Sequence, residues 1–201
     1  MASSKCKRVA KEKKAKAALA EDVKKDKEIL KLQFGEKRFL TYSIFDDSDK
    51  IHIREYDSLN GKSYPSKRGI CLSASRFSTL YNTLPEIIAS VELLLQKKPV
   101  KMNAHIGGGV YATVSSDYQC VDIRRFWKPE GENKECATRN GLAIRLDEFE
   151  KFVGALNELA TSYPHLISLS IICAYQLDHC NQIVAIDCKE CNPFGLSGFD
   201  I

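Results

Sequence analysis

The sequence predicts an α+β fold built from two related units, and three observations carry that expectation. The first is a strand that occurs twice: Ile51-His52-Ile53-Arg54-Glu55-Tyr56 and, seventy positions later, Val121-Asp122-Ile123-Arg124-Arg125-Phe126. Both runs alternate apolar with polar residues and are rich in β-branched and aromatic side chains, the period-two pattern of a half-buried strand. The second is the shared succession after each copy: a polar loop with Gly61 or Gly131, a short strand at Gly69–Leu72 or Gly141–Ile144, and then an apolar helix. Elements repeated in one order at nearly constant offset count the units better than any local motif does. The third is size: 201 residues, 44 % of them apolar, suffice for one medium domain or two small ones with a real core.

In chain order, residues 1–31 are Lys- and Ala-rich and read as a basic, disordered tail. Ala15 to Leu30 has helical propensity, but Leu19, Val23 and Leu30 make only a thin apolar stripe, too little for a packed helix. The first unit occupies 32–101. Its first strand is expected at Lys37–Phe45, with Phe39, Thr41, Ser43 and Phe45 on one face and Arg38, Leu40, Tyr42 and Ile44 on the other. Asp46 to Asp49 is a turn, Lys50–Tyr56 a strand, Asp57–Lys67 a polar loop, and Ile70–Leu72 a short strand. Ser73 is placed to cap the following helix, and Pro85 should end or kink it. The second unit occupies 102–162, with strands at Val110–Ser115, Gln119–Trp127 and Leu142–Leu146. A helix capped by Asp147 then runs to about Ser162. Residues 163–201 have no counterpart in the first unit. Leu166–Tyr175 and Asn181–Asp187 read as a β-rich extension.

The net charge of +4 is unevenly spread. Residues 1–31 hold 11 Lys/Arg against 5 Asp/Glu, residues 32–101 hold 11 against 8, and residues 102–201 hold 8 against 13. A polyanion would be drawn to the tail and first unit and repelled on average by the rest. The chain has no run of 18 uncharged apolar residues, and no leader pattern comes after Met1, so neither a membrane span nor a secretory signal is expected. The irregularly spaced eight cysteines do not read as a disulfide framework and suit a reducing compartment.

Site chemistry is sparse. Cys188 and Cys191 form a lone C-x-x-C that, with His179 and Cys180, makes a weak zinc candidate of unusual spacing. No cofactor is expected. Gly107-Gly108-Gly109 lacks the strand–helix context of a phosphate loop and reads as a strained or bulged strand entry. No nucleophile–base arrangement stands out, and no enzyme activity is expected. Basic and aromatic residues interleave instead: a curved sheet bearing Arg38, Phe39, Phe45, Lys50, Arg54, Lys67 and Arg68 offers cations for phosphates and aromatic faces for bases. Core packing is the competing role for Phe39 and Phe45.

Arg54-Glu55-Tyr56 within its strand, followed by Lys67-Arg68-Gly69-Ile70-Cys71-Leu72-Ser73, resembles the C-terminal domain of the transcriptional coactivator positive cofactor four family. Val121–Trp127 with Pro129-Glu130-Gly131 resembles the same strand and loop. The resemblance covers about residues 34–95 and 106–160. It implies that each unit is a four-stranded antiparallel sheet followed by a helix. The two units would form an intrachain pseudodimer whose helices pack on each other. It also implies sequence-nonspecific binding of single-stranded or melted duplex DNA, in transcription or DNA metabolism, in the nucleus. The implied contacts are Phe45, Arg38, Arg54, Lys67 and Arg68 in the first unit, and Arg124, Arg125, Trp127, Lys128 and Arg139 in the second. Asp57 stands where the second unit has Trp127, Asp46 and Ser48 stand where the family has lysines, Ser115 stands for Phe45, and Gly108-Gly109 stand for Arg38-Phe39.

The alternative is a protein-interaction or structural scaffold that kept the duplicated fold and lost most DNA binding, in keeping with the acidic second half. Transcription machinery or other proteins, and further homo-oligomerisation, are compatible partners; a membrane is not. A viral protein acting in an infected nucleus would carry the same features.

Overall fold

The computed structural model describes residues 27–59, 61–129, 135–168, 188 and 190, the side chains of residues 59 and 62 excepted. Two four-stranded antiparallel sheets form, each in simple meander order. The first holds β1 (Lys27–Gly35), β2 (Arg38–Phe45), β3 (Ser48–Leu59) and β4 (Lys62–Ser73), and leads into helix α1 (Ala74–Leu95). The second holds β5 (Lys101–Gly107), β6 (Val110–Ser115), β7 (Tyr118–Trp127) and β8 (Cys136–Arg145), and leads into α2 (Leu146–Ser162). The α+β class and the repeated order of elements are as the sequence predicts.

Strand alternation explains the layering. Leu40, Tyr42, Ile51, Ile53, Ile70 and Leu72 from the first sheet, and Val110, Ala112, Val114, Val121, Ile123 and Ile144 from the second, all turn inward and are buried. They join Phe77, Leu80, Ile87, Phe149, Phe152 and Leu156 of the helices in one core. The helices are exchanged between units. α1 lies over β5 and β6 besides touching β3 and β4, and α2 lies over β1 and β2 besides touching β7 and β8. The expectation that the two helices pack mainly on each other is therefore corrected. A strand's apolar face needs a cover, and here each helix covers much of the other unit's sheet. The helices meet where Tyr81 Oη donates to Asn157 Oδ1 at 3.1 Å.

Several boundaries shift. The sequence pattern does not single out β1 and β5, and β1 begins inside the stretch assigned to the tail. Lys27–Leu30 ends the stretch with helical propensity, but Leu30, Leu32 and Phe34 alternate, Leu30 and Leu32 in register with Tyr42 and Leu40, and sheet pairing wins. The expected loop at Asp57–Lys67 is a β-ribbon in which Tyr56 pairs with Pro65 and Asp57 with Tyr64. Asp46 and Asp47 form the two-residue hairpin turn, both at positive φ. Ser73 Oγ caps α1 by accepting from Arg76 N, but α1 runs through exposed Pro85 as one helix rather than starting anew there. α2 begins at Leu146, so Asp147 lies in its first turn instead of capping it. Leu166 is the last residue of a 3-10 turn, Pro164–Leu166, rather than the start of a strand, and its side chain is buried in the core.

Gly108-Gly109 forms the β5–β6 hairpin turn after Gly107 at the end of β5, all three residues at positive φ, with a bulge between His105 and Gly107. This matches the bulged strand entry expected there. Gly69 is a tighter constraint. At φ +148 it faces Arg54 across the hairpin, and a Cβ there would stand 2.5 Å from Ile53 O and 2.7 Å from Arg54 Cα. Gly69→Ala should cost about 2 kcal/mol in urea unfolding, the scale of backbone strain plus steric displacement. A cost below about 0.5 kcal/mol would show that the strands can separate freely at this bulge.

Candidate nucleic-acid interface

The face of each sheet turned away from the helices forms a groove. In the first unit it is floored by Thr41, Ser43, His52 and Arg54, rimmed by Glu28, Lys31, Tyr56, Ser63 and Pro65, and encloses about 480 Å³. The floor is fixed by pairing: Phe39 lies opposite Arg54, Thr41 opposite His52, and Ser43 opposite Lys50. Thr41 and Ser43 are buried although they sit on this open face. Thr41 Oγ1 lies 3.1 Å from Tyr56 Oη, and Ser43 Oγ lies 3.2 Å from His52 Nε2. Phe39 meets Tyr56 edge-on at 5.0 Å between ring centroids. Lys31 Nζ lies 3.7 Å from the Tyr56 ring centroid and 4.7 Å from that of Phe39, cation–π contacts worth about 0.5–2 kcal/mol.

Arg54 is central to this groove. Its Nη1 donates to Ser66 O at 2.8 Å, while its Nε is buried without a hydrogen-bond partner. An unsatisfied buried donor costs about 1–3 kcal/mol, more when charged. Among the described residues no carboxylate pairs with Lys31, Lys50, Arg54 or Lys67. Phe45 stands 41 % exposed at the end of β2.

The second groove has the same backbone and different chemistry. It encloses about 390 Å³ among Thr113, Ser115, Tyr118, Cys120, Asp122, Arg124 and Phe126. Arg124 is held by Asp122 through Nε at 2.9 Å and Nη2 at 3.1 Å, and by Thr138 O through Nη1 at 2.8 Å. The Asp122 hydrogen bond pushes the guanidinium pKa above its ordinary value. Pairing register places Asn103, Cys120 and Asp122 where the first unit has Lys31, Lys50 and His52. This second groove therefore neutralises its own cation.

Register also revises one equivalence. Tyr111, not Gly109, lies opposite Arg124 as Phe39 lies opposite Arg54, and Tyr111 meets Phe126 edge-on at 5.4 Å as Phe39 meets Tyr56. The discrepancy of two residues arises because β7 carries Gln119 and Cys120 unpaired with β6. Ser115 does hold the place before the two-residue turn that Phe45 holds in the first unit.

The other expected contacts divide. Arg38 is a correction: alternation puts it on the face opposite Phe39 and Arg54. There its guanidinium donates to Ala143 O at 2.9 Å, Glu148 Oε2 at 2.6 Å and Glu55 Oε1 at 3.1 Å. Arg38 joins the two units instead of joining the groove. Because Glu148 is buried and also takes a bond from Arg145, Glu148→Ala should lower stability by about 1–3 kcal/mol in denaturant titration, the range for a charged hydrogen bond. Arg68 is exposed and reaches Glu55 at 3.4 Å. Lys67 is exposed on β4, Arg139 on β8, and Arg125 and Trp127 near the end of β7. Lys128 is half-buried. Lys31 is a groove residue that the sequence does not signal: composition gives it to the tail, and its nearness to Phe39 emerges only when β1 and β2 are paired. Of the zinc candidates, His179, Cys180 and Cys191 lie outside the described residues. No group of three metal-binding side chains occurs among the described ones.

Residues 32–83 match the family model Transcriptional Coactivator p15 (PC4), and the first unit is PC4-like. A Neurospora crassa protein named "Putative RNA polymerase II transcriptional coactivator" is 32 % identical over 59 residues, 29 % of this chain. That match spans 34 % of the relative's length. No solved structure gives a significant match.

Proposed function

We propose, with a PC4-like first unit as the premise, that this chain binds single-stranded or melted duplex DNA without sequence preference, in transcription or DNA metabolism in the nucleus. The two units act as an intrachain pseudodimer, and the first unit's groove supplies most of the binding. The observation that carries this reading is the groove face: Lys31 and Arg54 line it, Lys50 stands on the same face of β3, Phe39 and Tyr56 flank Lys31, and among the described residues no carboxylate pairs with these cations, although Glu28 stands at the rim. Cations along a strand neutralise phosphates, and exposed rings accept stacked bases without regard to sequence. Phe45 at the rim suits that second role.

The second groove, with Asp122 bound to Arg124, favours a different use for the second unit: a scaffold, or a protein-binding face, that need not carry DNA. The two readings coexist in one chain if binding is asymmetric. Titration of the whole protein with fluorescent single-stranded and duplex oligonucleotides at several salt concentrations tests the proposal. Single strands should bind more tightly than duplex, and log affinity should fall linearly with log salt as counterions are released. Absence of binding even at low salt would refute it.

A further inference from the structure

Beyond α2 the chain meets the body of the molecule at Glu190, where α1 adjoins the β5–β6 turn. Arg76, in the first turn of α1, donates from Nε to Glu190 Oε2 at 3.0 Å and from Nη2 to Glu190 Oε1. Gly108 N donates to the main-chain carbonyl of the same glutamate at 3.0 Å. One residue is thus held at both its carboxylate and its carbonyl, by the first unit's helix and the second unit's hairpin. The arginine side chain is 17 % exposed and the glutamate side chain 43 %, so the cation is the built-in half of the contact. The glycines leave it room. At Gly108, φ +56, an added Cβ would stand 2.7 Å from Arg76 Cζ, and at Gly107 one would stand 3.0 Å from Glu190 Oε2.

The matching place in the other unit explains why this carboxylate comes from outside the repeated elements. Each helix follows its cap, Ser73 or Arg145, so Arg76 and Glu148 hold the same position three residues on. Each packs on the other unit's first hairpin, Glu148 at Gly35 and Arg76 at Gly107 and Gly108. Around Glu148 the units supply their own counter-charges, Arg38 from β2 and Arg145 from the cap. Around Arg76 the sign is reversed and those partners are replaced: register puts buried Val110 in place of Arg38, and Ser73 in place of Arg145. A guanidinium largely withdrawn from water needs an acceptor of opposite charge. Among the described residues that acceptor is Glu190, from the stretch after 162 that has no counterpart in the first unit.

We infer that Arg76 and the Gly108 amide form a binding site for a peptide glutamate, and that Glu190 fills it to latch the C-terminal extension onto the junction between the units. The site reads side chain and main chain together: the guanidinium fork matches the carboxylate, and the amide takes the carbonyl. Neither Arg76, Gly108 nor Glu190 lines either groove, so the latch stands whether or not the grooves carry DNA. His105 registers it from nearby. Burial holds the His105 pKa below the ordinary imidazole value, while Glu190 raises it and Arg76 lowers it.

Amide hydrogen exchange at Gly108, followed by NMR on the whole protein, tests the latch in wild type, Arg76→Met, Glu190→Gln and the double variant. Methionine keeps much of the arginine stem and removes the charge. Each single change should speed Gly108 exchange by about tenfold, the scale of a lost charge-assisted contact, and the double variant should exchange no faster than either. Glu190→Gln should also move the His105 titration to lower pH, because the anion that favours the imidazolium is gone. Exchange at core amides should stay as in wild type. If either Gly108 exchange or the His105 titration is unaltered in Glu190→Gln, the latch is wrong. Single effects that multiply in the double variant, or faster exchange throughout the core amides, would overturn it as well. Should Arg76→Met fail to fold, Glu190→Gln decides by both readouts on its own.

Discussion

Replacing Phe45 and Arg54 together by alanine will weaken binding of single-stranded DNA by about 100-fold, whereas the pair Arg124→Ala and Trp127→Ala will weaken it by about threefold or less. The first figure combines one stacked base, about 1–3 kcal/mol, with one charged phosphate contact. Phe45 is free to stack because it stands at the turn end of β2, 41 % exposed, beyond the reach of the core. Arg54 has a buried, unsatisfied Nε, and among the described residues no carboxylate pairs with it. Arg124 has already committed Nε and Nη2 to Asp122 and Nη1 to Thr138 O, so its removal sacrifices little that DNA could have used. Trp127 is well exposed but does not line the second groove, whose cation Arg124 is tied up by Asp122. Competition titrations with unlabelled oligonucleotide, at one salt concentration for both double variants, measure the ratio directly. Equal losses, or a larger loss from the second pair, would mean that the two grooves share the load and that Asp122 gives way on binding. Far-UV circular dichroism of both variants separates lost affinity from lost fold.

The contrast also shows which parts of the site could be read from sequence. Alternation along β2 and β3 placed Phe39, His52 and Arg54 on one face and Leu40, Ile51 and Ile53 on the other, because a period of two leaves no freedom once one face is buried. The same rule, applied to Arg38, removes it from the interface. Its charge suggests DNA contact more strongly than its register forbids it, and the structure uses that charge to bind Glu148. Lys31 is illegible for the opposite reason: β1 looks like helical tail until Leu30, Leu32 and Phe34 find their partners on β2 and α2. The pairing of Arg124 with Asp122 lies two residues apart on one strand, on one face. That neutralisation was open to inspection in the sequence, yet only the paired geometry shows both guanidinium contacts. The ribbon at Tyr56–Pro65 escapes because polar residues there pair through backbone alone, which leaves no hydrophobic period to detect.

Phe152→Ala should be the most damaging single change to the fold, and its consequences reach the unit to which Phe152 does not belong. The side chain sits on α2, after the second sheet, but its ring packs edge-on against Phe34 of β1 at 5.1 Å, and both are fully buried. Truncation leaves a large cavity between the first sheet and the second helix, costing about 3–5 kcal/mol. For a domain whose net stability is about 5–15 kcal/mol, that is a large fraction of the whole. Because α1 covers β5 and β6 while α2 covers β1 and β2, neither sheet keeps its cover if the other unit opens. Unfolding should therefore remain a single transition in the variant. Trp127, the one tryptophan in the sequence, reports on the second unit, and far-UV circular dichroism reports on both. Coincident midpoints in urea, shifted together by Phe152→Ala, are expected. Separate midpoints, with only one displaced, would mean that each unit has a self-sufficient core, and that the exchange of helices joins two domains without making them one cooperative structure.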